Sequence, residues 1–279
     1  METNDAAQSP VPARRGLGRT LAYAVGNFPT GVLLLVIGTW LMRLYCPSPD
    51  EGRPILVSPE TFGRLSILVL VVAAIADPLV GYFSDRTSTR FGRRLPWIAL
   101  GTPLLALSFA MLWFPPTAVA SVANIVWLTL AFMAVHVTFT VVVNPYLALM
   151  PELLTSEGDR VKVSAWMSGA NALAQVFAFG LGIVIVAFEG GTTILGLHLA
   201  DGYKVGAVAA AGLTVLLFAP TLIWVRETPH SGSKDVPFGL VEAGRQTFRN
   251  PAFLPYIGAG SLLQAAQTMP WRGFADTLA

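Results

Sequence analysis

The stretch Asp77-Pro-Leu-Val-Gly81-Tyr-Phe-Ser-Asp85-Arg86-Thr-Ser-Thr-Arg90-Phe-Gly92-Arg93-Arg94 begins inside one apolar run and ends just before the next. A carboxylate placed in hydrocarbon costs several kcal/mol unless it faces a cavity or a partner, so Asp77 is a functional candidate. Asp85 with Arg86, Arg90, Arg93 and Arg94 makes a tight charged turn. Charge-assisted hydrogen bonds in such a turn can hold two helix ends together. Taken alone, Asp77 could also snorkel toward a helix end, and the arginines could serve only to set topology.

Working outward, 54% of the residues are apolar and 12% charged, and the apolar ones come in blocks of the length that crosses a bilayer. Cys46 is the one cysteine, which excludes a disulfide framework and argues against a cysteine-based metal site. No basic run interleaved with aromatics points to nucleic acid.

Residues 1–20 read as a polar, disordered tail. Its Arg14-Arg15 pair is followed by an apolar run too long for a cleaved export signal. Six spans are expected at about 21–46, 61–83, 95–114, 122–146, 163–188 and 203–225. Together, 21–225 forms an N-terminal six-helix bundle. A hydrophilic loop, 226–250, then leads to 251–279, the start of a truncated seventh helix. Gly26, Asn27, Pro29 and Gly31 put a break and a polar side chain in span one, and broken membrane helices mostly line cavities. Thirteen Lys and Arg lie in the tail, 84–94, 151–162 and 226–250, against four on the alternate side. The positive-inside rule therefore places the N-terminus in the cytoplasm, in a multi-pass protein of the cytoplasmic membrane.

Polar side chains inside the spans form two stripes. Ser164, Ser168, Asn171 and Gln175 share one face of span five, and His136, Thr140 and Asn144 share one face of span four. One reading makes these residues packing glue, at about 0.6 kcal/mol each. With Asp77 and Asn27 on two further spans, a water-filled cavity fits the pattern better. His136 as a neutral imidazole donating to a carbonyl of a neighbouring helix is preferred to a proton relay.

Gly81, Asp85, Arg86, Gly92, Arg93 and Arg94 fall on the Gly-x-x-x-Asp-Arg…Gly-Arg-Arg signature loop, and the chain resembles the major facilitator superfamily of secondary transporters. The five residues between Arg86 and Gly92, Asp77-Pro78, Pro96-Trp97 and Asn144-Pro145-Tyr146…Pro151-Glu152 are similar to the glycoside-pentoside-hexuronide:cation symporters of melibiose-permease type. The resemblance covers about Leu21 to Trp224. It implies an all-α membrane fold of twelve helices in two halves, of which this chain reads as the N-terminal half plus a remnant. It implies a conformational latch at Gly81, Asp85, Arg86, Arg90, Gly92, Arg93 and Arg94. It also implies a central cavity on spans one, two, four and five, lined by Asn27, His136, Asn144, Ser168, Asn171 and Gln175. A small solute, such as a sugar or glycoside, would cross by alternating access, with no cofactor and no enzymatic step.

The chain departs from that family at Ala73 and Ala76 on span two, at Val143 on span four and at Ser168 on span five, where acids, an Asn and an Arg are usual. Na⁺ needs several oxygens at once, and Asp77 is the one carboxylate here; Thr140 and Asn144 add two neutral oxygens where their span faces it. A proton needs a single carboxylate that loads and unloads. The intact transporter is therefore expected to be proton-coupled or uncoupled, with Asp77 the carrier where coupling exists and Thr140 beside it in the coupling site, and with another monovalent cation as the alternative to H⁺. An integral-membrane enzyme finds no nucleophile elbow or metal spacing. A non-transporting remnant or assembly partner of such a carrier is the alternative.

Overall fold

The computed structural model describes residues 17–154, 156–194, 197–199, 201–225 and 227, with 242, 245, 249–251, 255, 258 and 259 further on. The chain divides into two units, Met1–Pro229 and His230–Ala279, and the elements below belong to the first. In the second, Glu242, Arg245 and Arg249 have helical backbone. Most of the expected tail, most of the 226–250 loop and most of 251–279 lie outside the described residues.

Three of the long helices begin where a short polar side chain satisfies a first free N–H group of the helix. Ser58 accepts from the Thr61 amide ahead of α4 (Pro59–Arg86), and Ser121 from the Asn124 amide ahead of α6 (Val122–Leu153). Asp201 accepts from the Lys204 amide ahead of α8 (Gly202–Trp224). The remaining long helices are α5 (Leu95–Met111) and α7 (Glu157–Ala187).

Five helical runs, Thr20–Tyr45, Pro59–Arg86, Val122–Pro151, Glu157–Ala187 and Gly202–Trp224, are long and apolar enough to cross a membrane. The third expected span, 95–114, is shorter as a helix. Its 17 residues reach about 25 Å at 1.5 Å per residue. Pro115 and Pro116 lack the N–H groups that would have closed the last turn on Met111 and Leu112. The freed carbonyls are met from other helices: Met111 O accepts from Trp127 Nε1 at 3.0 Å, and Leu112 O from Tyr45 OH at 3.0 Å. The chain then turns on Asn124, whose buried side chain bonds the backbone of Thr117 and Val119.

The first span is a composite of α1 (Leu17–Val25), α2 (Asn27–Val36), a wide π turn at Ile37–Leu41, and α3 (Met42–Tyr45). The break expected near Gly26 is a one-residue interruption, because Gly26 keeps helical dihedrals of φ −60 and ψ −17. The π turn was not expected; it carries Trp40, whose Nε1 donates to Ala178 O at 2.8 Å on α7.

The other expected boundaries also move. Span two lengthens from 61–83 to 59–86, and span five begins at Glu157 rather than 163. Span four runs to Leu153 rather than 146, with Pro145 and Pro151 inside the helix. The expected loop 189–202 contains a small antiparallel hairpin of β1 (Thr192–Ile194) and β2 (Leu197–Leu199).

In the packing, α6 lies against both α4 and α5, while α8 touches α1, α2, α5 and α7. Over the most apolar stretch of each run, 56% of the first is buried but only 17% of α4 and of α7, so those two carry the open side. Two rings fasten the first span to α6. Tyr23 OH donates to Tyr146 O at 2.9 Å, Tyr146 OH donates to Tyr23 O at 2.6 Å, and the rings stack at 4.6 Å. Gly26 permits this, since a Cβ there would lie 2.9 Å from the Tyr146 ring. Buried hydroxyls bond nearby carbonyls, Thr102 to Ile98 O and Thr214 to Ala210 O, so among the described residues no buried hydroxyl is left without a partner.

At the end of the bundle opposite the charged turn, Glu51 accepts from Arg53 at 2.5 Å and from Arg43 at 2.8 Å. Arg53 also reaches Tyr203 OH at 3.1 Å, which ties this loop to α8. The Arg53 hydrogen bond, helped by Arg43, holds the Glu51 carboxyl below the usual carboxylate range.

Candidate functional site

Asp77 sits inside α4, followed by Pro78, which removes one backbone donor from the helix. Thr140 on α6 donates its hydroxyl to Asp77 Oδ1 at 2.8 Å. One turn along, Asn144 Nδ2 lies 3.4 Å from both Asp77 Oδ1 and Asp77 O. The spacing of four thus brings the two polar residues of α6 to one carboxylate. Asp77 remains exposed while Thr140 is buried, so the carboxylate is held from the protein side and open on the other.

His136, a turn before Thr140, is half-buried, and its Nδ1 lies 3.1 Å from Phe132 O. A carbonyl only accepts, so Nδ1 carries the proton and Nε2 is left with its lone pair. The ring stands edge-on to Phe132 at 4.8 Å. The carbonyl belongs to its own helix, not to a neighbouring one as expected.

The α7 stripe is placed differently. Ser164, Ser168, Asn171 and Gln175 are all exposed. Asn171 faces the first span closely enough that a Cβ on Gly31 would lie 2.9 Å from its Oδ1. Asn27 is engaged in packing, donating to Met167 O at 2.9 Å. The structure therefore gathers Asp77, Thr140 and Asn144 through hydrogen bonds, with His136 beside them, and sets Asn27 and the α7 stripe on a second pair of helices.

The charged turn is organised by Arg94, which is 8% exposed. Its Nη2 donates to Asp85 Oδ1 at 3.1 Å, and its Nη1 donates to Ala148 O near the end of α6. Arg86 lies over the Tyr82 ring at 3.6 Å and Arg90 over Phe91 at 4.6 Å. Ser84 donates to Gly81 O, and Trp97 Nε1 to Thr87 Oγ1 at 2.8 Å. Gly92 has φ +114, a conformation that favours glycine.

Sequence reasoning missed Glu227. Its carboxylate accepts from the backbone N–H groups of Arg93, Arg94 and Leu95 at 2.5, 2.7 and 2.6 Å, and so caps α5. No acid lies in the first turn of α5, and its N-cap residue, Arg94, makes no side-chain bond to the free N–H groups of the helix. Those two absences are the signal that a distant carboxylate was needed there.

A family model described as MFS/sugar transport protein matches residues 22–275. The chain is 30% identical over 158 residues to the sodium-dependent lysophosphatidylcholine symporter 1 of Gallus gallus, covering 56% of this chain and 28% of that protein. It is 28% identical over 172 residues to an uncharacterized symporter of Synechocystis (60% and 30%), and 23% identical over 198 residues to the isoprimeverose transporter of Lactiplantibacillus pentosus (71% and 39%). The chain thus spans between a quarter and two fifths of the length of these curated relatives. With the match running through nearly its whole length, the chain belongs to the MFS/sugar transport protein family.

Proposed function

We propose that this chain forms part of a proton-coupled secondary transporter that moves a small sugar or glycoside by alternating access, with its N-terminus in the cytoplasm. The observation that carries the reading is Asp77, a carboxylate inside a 28-residue apolar helix, bonded on one side by Thr140 and Asn144 and open on the other. An open carboxylate can exchange a proton with water in the cavity. The Thr140 hydroxyl, donating to one oxygen, keeps the carboxylate aligned. Asn144 and His136 flank it with a further donor and a free ring nitrogen, groups suited to sugar hydroxyls. The name of the isoprimeverose transporter supports a glycoside; the sodium-dependent relative makes Na⁺ the competing ion.

Alternation needs one end of the bundle to open and reseal, and the turn 84–94 supports this role. Its Arg94 and Glu227 bonds join the ends of α4, α5 and α6 to the residues after α8. The basic residues of this end support a cytoplasmic position for it by the positive-inside rule.

The test is solute uptake by the reconstituted protein under an imposed H⁺ or Na⁺ gradient, across a panel of glycosides, for native protein and Asp77→Asn. Accumulation driven by H⁺ and lost in the Asn variant is expected. Accumulation driven by Na⁺ alone, or H⁺-driven accumulation that survives Asp77→Asn, overturns the reading.

A further inference from the structure

Pro78 follows Asp77 inside α4 and supplies no N–H to the turn before it. In a regular helix that N–H would pair with the carbonyl four residues back, which is Ala74 O. The carbonyl one residue earlier, Ala73 O, has its regular partner in the Asp77 N–H. Ala74, Asp77 and Pro78 are all exposed, so the carbonyl released by the proline lies on the same open face of α4 as the carboxylate.

Side chains of a helix lean back over the preceding turn, toward residues three and four earlier. Asp77 therefore leans over Ala73 and Ala74. Thr140 holds Oδ1 at 2.8 Å, with Asn144 at 3.4 Å, which fixes Oδ1 toward α6 and turns Oδ2 away from it.

We propose that Ala74 O is the acceptor of the proton that Asp77 carries, and that Pro78 is the positioning residue that makes it available. On loading, a hydronium ion of the cavity water passes its proton to Oδ2. One O–H bond forms on the carboxyl, one breaks on the hydronium, and a water molecule is left. The new hydroxyl donates to Ala74 O, as a Ser or Thr hydroxyl does to a carbonyl of the preceding turn. Oδ1, now the carbonyl oxygen of the acid, keeps its bond from Thr140. A charged carboxylate has nothing to donate, so Ala74 O bonds the loaded form alone and favours it. The inference rests on the reading of Asp77 as the proton carrier, whatever the solute.

α4 packs on α6, and the titratable side chain that α6 brings into electrostatic range of Asp77 is His136. Its Nε2 lone pair accepts and so donates nothing to Oδ2. Glu152 lies near the end of α6; on α4 itself Glu60 and Arg64 stand near one end and Asp85 and Arg86 at the other.

Infrared difference spectroscopy of the protein in lipid vesicles, stepped in pH, reads the carboxylic C=O band of Asp77, assigned by its loss in Asp77→Asn. Pro78→Ala returns an N–H to Ala74 O. The proton affinity of Asp77 is then expected to fall about fivefold, the share of one hydrogen bond. Its band should move to higher wavenumber as the bond from its hydroxyl weakens. A second form carries the α-hydroxy analogue of alanine at position 78, so that an ester oxygen replaces the peptide nitrogen. It lacks both the ring and the N–H and is expected to match native protein. Pro103→Ala in α5 should leave band and midpoint unchanged. A native band and midpoint in Pro78→Ala overturn the proposal. An ester form that shifts with the Ala variant overturns it too, since the ring and not the missing N–H would then matter. Because Pro78→Ala can disturb packing, native protein with ¹³C-labelled alanine carbonyls supplies a further reading. An alanine amide band should shift as Asp77 loads and stay still in Asp77→Asn; no such shift overturns the proposal. These results leave Asp77 a proton carrier. If no acid band of Asp77 forms at any pH at which the protein stays folded, proton loading itself is overturned, and this inference with it.

Discussion

Replacing Glu227 with alanine removes the acceptor of three backbone N–H groups at 2.5, 2.7 and 2.6 Å. Losing one ordinary N-cap costs about 1 kcal/mol, and losing a charge at a helix N-terminus about 0.3–1 kcal/mol more. The third donor adds a comparable amount, offset because this end of the bundle is open to water that can replace the carboxylate. The net is about 2 kcal/mol, a factor of about 30 in the equilibrium between closed and open turn. Glu227→Gln keeps one oxygen but loses the charge, and about half that figure is expected. Amide hydrogen exchange of the protein in lipid nanodiscs reads this directly. Protection at Arg93, Arg94 and Leu95 should drop about 30-fold in the Ala variant and about fivefold in the Gln variant. The Thr61 amide, capped by Ser58 at the far end of α4, should stay as it is. Exchange at the three amides unchanged within threefold would refute the capping argument. Equal loss at Thr61 would refute it too, since the effect would then be global.

Gly92→Ala should be more damaging than Gly81→Ala. The first puts a Cβ 2.6 Å from Glu227 at φ +114, while the second meets nothing within 4 Å. A cost of about 1–3 kcal/mol for Gly92→Ala against a small one for Gly81→Ala is checked by thermal unfolding in detergent, and similar midpoints would count against the tight turn. Glu51 supplies a pH signature: its folded carboxyl titrates below the ordinary range, so its stabilisation is present above about pH 4.3 and lost as pH falls through the depressed value. The melting difference between native protein and Glu51→Gln should be constant from pH 7 to 5 and shrink toward pH 3; a difference undiminished at pH 3 contradicts the Arg53 and Arg43 pairing. For His136, ¹⁵N NMR at neutral pH should show the proton on Nδ1, identified by loss of the signal in His136→Gln, and an Nε2–H tautomer would exclude the bond to Phe132 O.

Much of this arrangement was legible in the residues because it is local or periodic. Asp77 stood out through its cost in an apolar run, and the spacing of Thr140 and Asn144 put both on one helix face. That their helix faces Asp77 depends on how α6 packs on α4, which no spacing within one segment encodes. The α7 stripe was equally clear as a pattern, yet Asn27, expected in the cavity, is engaged by Met167 O. Glu227 was invisible because its partners lie 132 to 134 residues away. Helix ends were the weakest expectation. Pro115 and Pro116 end α5 early, as proline chemistry dictates, whereas Pro145 and Pro151 sit inside α6. Helices within a bundle tolerate such prolines when neighbours meet the freed groups. The π turn at Ile37–Leu41 has no residue signature of its own; it coincides with the seating of Trp40 on Ala178 O.

The paired tyrosines have a mechanical consequence. Because each hydroxyl is bonded to the other residue's carbonyl, neither ring can swing away without stranding two buried polar groups together. The first span and α6 are therefore geared at this point, able to tilt as a pair but not to slide past one another. Asn144 and Thr140 ride on the same shaft, two and six residues before Tyr146. Under the proposed function, the tyrosine pair is a direct bonded link between the helix that holds Asp77 and the first span, which carries Asn27. If Asp77 is loaded and unloaded as proposed, this gearing predicts that the first span responds together with α6 rather than after it.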